Sequence, residues 1–222
     1  MSRDAILGRI RAVLGSRDRV ARPTREHPWA GGAPPSLSST GDAAVARFRN
    51  AAIAKGVDVI DVASVSAIPA AVATYLGSQP SGHALRLGSN GLADLDWRDH
   101  RIDVASGAAT DTDRVALSRA VAGIAETGTL LLASGSGDPM TLALLPETHV
   151  VVLERTSIVG TFEEATAMLR ALYGSALPRS VNFISGASRT GDIGGRIVHG
   201  AHGPRRLAVL VVENKQGAAR AP

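Results

Sequence analysis

With 222 residues, 45% of them hydrophobic, the chain is long enough for one large domain or two small ones, and with only 3% aromatics Ala, Val, Leu and Ile must fill its core. It has no cysteine, which excludes disulfides, a cysteine nucleophile and any thiolate-held iron–sulfur cluster within the chain itself. The net charge is +4, but residues 1–30 hold seven arginines against three acids, so the rest is balanced and the basic excess is an N-terminal property. No recognition motif accompanies those arginines and no aromatics interleave with them, so a docking arm or a solvated helix is expected, not a nucleic-acid site. Charge or glycine breaks every apolar run before bilayer length. Charges from Arg3 to Arg11 also occupy the place of a signal peptide's apolar core, so the expectation is a soluble, cytoplasmic protein without a membrane span.

In chain order, Ser2 as N-cap, Asp4 in the first turn and Ile6, Ile10, Val13 and Leu14 on one face predict an amphipathic helix that stops at Gly15. Residues 1–20 form this arm, and the Pro-, Gly- and Ser-rich residues 21–40 read as a linker. The body is expected over 41–214, with 215–222 as a flexible tail. Within it, Asp42 caps a helix carrying Val45, Phe48, Ala52 and Ile53 that ends at Gly56, ahead of a strand over Val57–Val62. Ser66 is positioned to cap a second helix through Leu76. Short apolar strands follow at His83–Leu87, Ile102–Ala105 and Val115–Leu117. AVAGIA at Ala120–Ala125 reads as a short helical segment, and Thr129–Ala133 as a strand. Asp138 and Pro139 look like the cap and first residue of a helix to Leu145. His149–Leu153 is a strand, and Thr161 opens a helix supported by Glu163 and Glu164. Asn182–Ile184 and the six-residue run Leu207–Val212 supply the last strands; a run that long without a polar residue fits a strand buried on both faces. Strands alternating with helices predict an α/β fold with an open, mainly parallel sheet flanked by helices.

Two blocks stand out: Ala125–Leu130 (AETGTL), and SGASRTGDI followed by GAHGPRRL from Ser185. Together they resemble the LutC/YkgG family of LUD-domain lactate-utilisation proteins, in which the second block is usually SGPSRTADI and GxHGPxxL; Ala187 and Gly191 stand here for the usual Pro and Ala. The resemblance is close over about the last half of the chain. It implies a NagB/RpiA/CoA-transferase-like fold and a part in oxidising L-lactate to pyruvate. It further implies partner proteins that carry the iron–sulfur clusters, this chain being the cluster-free subunit, with no cofactor of its own.

The polar residues of these blocks are the candidates for chemistry. Arg189, in a loop with Ser188, Thr190 and Asp192, can grip a carboxylate through two parallel hydrogen bonds, or can be tied internally to Asp192. His202 can exchange a proton with a bound hydroxy or keto acid, or serve the Gly203-Pro204 turn. Glu126, next to Thr127 and Gly128 at a strand mouth, is either a site carboxylate or a cap on turn amides. CoA-transferases use a glutamate in a related Glu-Asn-Gly setting as covalent nucleophile, with Asn where Thr127 stands here. This keeps an alternative open, a self-contained transferase- or sugar-phosphate-isomerase-like enzyme acting through Glu126. His199 and His202 alone make a weak metal pair. Asp111-Thr112-Asp113 reads as a cation contact or a helix cap, and Ser134–Asp138 as a structural turn. The residues leave self-association open.

Overall fold

The computed structural model describes residues 3–15, 41–79, 82–88, 91–135, 137–193 and 196–213, giving backbone alone at 13–15, 190–193 and 196–198. The linker, the tail and the Ser2 cap lie outside the described residues. Helix α1 (Arg3–Gly15) belongs to a unit separate from the body. Its Ile6 and Ile10 are exposed, at 44% and 48%.

The body runs α2 (Gly41–Ile53), β1 (Asp58–Val62), α3 (Ile68–Gly77), β2 (Ala84–Leu87), β3 (Asp103–Ser106), β4 (Val115–Arg119), β5 (Ala122–Ile124), β6 (Thr129–Ala133), α4 (Thr141–Leu144), β7 (Thr148–Glu154), β8 (Ile158–Val159), α5 (Phe162–Tyr173), β9 (Val181–Ile184), β10 (Arg189–Ile193), β11 (Arg196–His199) and β12 (Arg206–Val212). Six strands, in the order β1-β12-β7-β4-β2-β3, form an all-parallel sheet. A smaller sheet, β8-β5-β6-β9, mixes one parallel and two antiparallel pairings, and β10 and β11 form a hairpin.

The apolar runs follow from two-sided burial. In β12, Ala208, Leu210 and Val212 pack with α3 residues Ile68, Val72 and Leu76. The alternate residues Leu207, Val209 and Val211 pack on the other face with Val45 and Phe48 of α2 and with Leu130 and Leu132 of β6. Residues in between on β6 turn to α5, where Leu131 meets Ala165 and Leu169. The small sheet is therefore a layer between the main sheet and α5. Polar termini are confined to helix ends, as in α5, where the Thr161 hydroxyl accepts from Glu164 N and the Glu164 carboxylate accepts from Thr161 N in a complete capping box.

Four expectations are corrected. Ala120–Ala125 contains strand β5, not a helix: Gly123 lies so close to the core that a Cβ there would come 2.7 Å from Leu153 Cδ2, and this packing overrides the helical propensity of its alanines. Ser66 lies in a 3₁₀ turn over Val65–Ala67 and pairs with the Ser64 hydroxyl, while Ala67 is the N-cap of α3. Asp138 and Pro139 precede a single helical turn, α4, whose N-cap is Met140. The SRTGD stretch is a β-strand of the β10–β11 hairpin, not a loop.

Candidate functional site

An open cleft of about 260 Å³ lies beside the start of the central strands, between α4, the Ser185–Ser188 segment and the His202–Pro204 turn. This is close to the lower size limit of small-molecule sites, about 300 Å³. Its position departs from the usual one at the carboxyl ends of parallel strands: His149 and Leu207, which line it, are the second residues of β7 and β12. Leu144, Phe183, Ile184 and Leu207 give it apolar walls, and Phe183 is 47% exposed despite its size.

The rim comes from the two signature blocks. Ser188 joins them: its hydroxyl accepts from His202 N at 3.3 Å, its N–H donates to Pro204 O at 2.8 Å, and its carbonyl accepts from Gly200 N at 2.9 Å. Ser188 and His202 thus meet in the cleft, with the His202 side chain exposed. Ser185, also on the rim, belongs to a chain of hydroxyls: Thr127 donates to Thr129 at 2.8 Å, and Thr129 donates to Ser185 at 2.9 Å. Lys55, just beyond the end of α2, donates to Ser185 Oγ and to the Thr127 carbonyl, each at 2.5 Å. The Arg189 guanidinium covers Gly56, filling the space where a Cβ would be. Two cations are therefore brought to one side of the Ser185–Arg189 segment. Thr190 and Asp192 lie on β10, where only the backbone is described, so the Arg189–Asp192 pairing lies outside the described side chains.

Glu126 does not share this arrangement among the described contacts. Its Oε1 accepts from Phe162 N at 3.3 Å, at the first turn of α5, and its own N–H donates to Gly160 O at 3.0 Å. A carboxylate there meets the positive end of the helix dipole. Gly128 is held at φ +63°, with its α-carbon so close to the backbone of Ala51 and Ala52 that no side chain fits. The AETGTL turn is thus clamped between α2 and α5.

Sequence reasoning missed Lys55 and His149. Lys55 carried one signal, as one of only two lysines in a chain whose other cations are arginine. His149 was read only as the start of a strand. It is 0% exposed, its Nε2 lies 2.8 Å from Ser118 Oγ, and its Nδ1 has no hydrogen-bond partner among the described residues. Burial pushes its pKa down from 6.5 to about 3, so the ring is uncharged at neutral pH. The Ser118 contact follows from register: Ala116 pairs with His149 and Ser118 with Val151, placing Ser118 diagonally on the same sheet face. An unmatched buried polar atom costs about 1–3 kcal/mol.

Elsewhere, Asp113 closes a turn by accepting from Thr110 N at 2.7 Å and pairs with Arg86 at 3.1 Å, so it caps no helix. Among the described residues no cluster of three or more His, Cys, Asp or Glu side chains could hold a metal, and no helix is long and apolar enough to cross a membrane.

The fold is a mainly parallel α/β domain with a small, largely apolar cleft, one of whose lining residues, Ser185, is hydrogen-bonded by Lys55. Residues 45–212 match the model of the LUD domain, and the chain belongs to that family. It is similar to lactate utilization protein C of Halalkalibacterium halodurans, at 37% identity over 94 residues covering 41% of each chain. A second similar protein is lactate utilization protein C of Shouchella clausii, at 36% identity over 93 residues and again 41% of each chain. The chain thus spans about two fifths of the length of these curated relatives. Among solved structures it is similar to a DUF162 family protein from Deinococcus radiodurans. The TM-score is 0.59 at 24% identity over 77% of this chain and 96% of that one, a likeness of fold.

Proposed function

We propose that this chain is the cluster-free subunit of a cytoplasmic L-lactate utilisation system, and that its cleft binds a small carboxylate such as lactate or pyruvate. The family and the names of its relatives support the pathway role. The observation that carries the binding role is the Lys55 ammonium on the hydroxyl of Ser185, a residue of the cleft lining, with the Arg189 guanidinium over the neighbouring Gly56 and the Ser185 and Ser188 hydroxyls able to add donors. Partner proteins bearing iron–sulfur clusters would take the electrons, since a chain without cysteine has no thiolate to hold a cluster. The exposed Ile6 and Ile10 of α1 give such partners an apolar stripe to dock on.

The test is lactate-dependent reduction of an artificial electron acceptor by the purified chain, alone and mixed with its iron–sulfur partners. Activity that needs the mixture and falls at least tenfold with Lys55→Ala or Arg189→Ala supports the reading. Activity of the partners that is indifferent to this chain refutes it. The transferase-like alternative predicts instead an acyl group trapped on Glu126 of the isolated chain.

A further inference from the structure

We propose that His149 is the ligand-recognising residue at the floor of the cleft, its Nδ1 hydrogen-bonding the uncharged 2-oxygen of a 2-hydroxy or 2-oxo acid whose carboxylate lies at the Lys55–Ser185 rim. The inference rests on the carboxylate reading above and extends it by assigning the other end of the ligand.

Three observations carry it. His149 is fully buried, lines the cleft and has an Nδ1 with no partner among the described residues, whereas nearly all buried polar atoms in native proteins have a partner. A group that enters from the cleft would supply that partner. That group would be uncharged, because a buried neutral imidazole in a cleft also lined by Leu207 and Ala143 cannot balance a carboxylate. The cations that can do so stand at the rim, where Lys55 meets Ser185.

The third observation is the Ser118 hydroxyl, 2.8 Å from Nε2, which can either donate or accept. When Ser118 donates, Nε2 carries the lone pair and Nδ1 carries the proton, ready for a ligand carbonyl. When Ser118 accepts, Nε2–H donates to it and Nδ1 offers a lone pair to a ligand hydroxyl. A neutral ring can thus hold the hydroxy acid and the oxo acid in the same place by changing tautomer, with no net charge moved into the core. Leu144 and Phe183 leave apolar wall for the ligand's alkyl group.

Calorimetric titration of the full chain with L-lactate, pyruvate and propionate tests this, since propionate has the same three carbons and carboxylate but no 2-oxygen. The expected result is at least tenfold tighter binding of lactate and pyruvate than of propionate. His149→Leu should erase that preference and leave propionate binding unchanged. His149→Asn, which keeps a polar group near the place of Nδ1, should restore part of it. Should His149→Leu fail to fold, imidazole ¹⁵N spectra of the unaltered chain decide: the Nδ1 resonance moves with pyruvate and stays still with propionate. Equal affinity for all three acids with a static Nδ1 overturns the inference. If that common affinity still falls with Lys55→Ala, the carboxylate reading survives it; if no acid binds at all, both readings are overturned.

Discussion

The rim and the floor of the cleft are built on opposite principles. The rim is made of turns, whose exposed Ser185 and His202 side chains have water as an alternative partner. The floor is part of a parallel sheet, where His149 sits in a strand run of buried residues and its ring has, among the described residues, only Ser118 as hydrogen-bond partner. A polar residue at the rim is inexpensive and recognisable by type, whereas one in the floor costs stability and must be matched. The comparison teaches that conspicuous polar motifs and energetically demanding polar residues need not coincide.

The sharpest way to break the contrast is to disturb the sheet that carries the floor, by packing alone and from its opposite face. Leu210→Ala removes a fully buried side chain between β12 and α3 and should cost about 2–5 kcal/mol in urea unfolding. Ser188→Ala at the rim should cost no more than about 1.5 kcal/mol, since the backbone bonds to Pro204 and from Gly200 remain. Similar losses for the two variants would show that the turn is as structural as the core.

Acid should weaken the floor through His149. His149 has its folded pKa lowered from 6.5 to about 3, so between those values the unfolded chain binds a proton that the folded chain refuses. Stability must therefore fall as pH drops from about 6.5 towards 3, by up to ~1.4 kcal/mol per unit from this group alone, and it gains nothing further from this histidine above that window. Unfolding free energies measured from pH 7 to 4 should show this slope, and His149→Asn should remove it. A slope unchanged in the variant would assign the acid sensitivity to other groups.

Much of the fold could be read before the structure, for identifiable reasons. The runs at Thr129–Ala133, His149–Leu153 and Leu207–Val212 are long, apolar and rich in branched residues because both faces are buried, and the α5 cap carries its signature in Thr161 and Glu164. Strand β5 was illegible because its identity depends on Leu153 and Phe48, far away in sequence, pressing on Gly123. Rim residues Arg189, Ser188 and His202 were legible as motif members. Lys55 and His149 were not, since each reaches the cleft through tertiary contacts with partners on other elements, Ser185 and Ser118.

The smallest predicted effect concerns the residue that local sequence made most conspicuous. Glu126 lies in a recognisable turn, yet the contact it makes is with the amide of Phe162 at the start of α5. Glu126→Gln keeps a carbonyl oxygen for that amide and loses only the charge at the helix N-terminus, which is worth about 0.3–1 kcal/mol. The expected outcome is a drop of that size in urea-unfolding stability, with lactate and pyruvate affinity unchanged within twofold. A loss of ligand affinity beyond tenfold at unaltered stability would move Glu126 into the site and revive a transferase-like mechanism. The two results separate because capping acts on α5 in the free chain, whereas a nucleophile or ligand contact acts only when the cleft is filled.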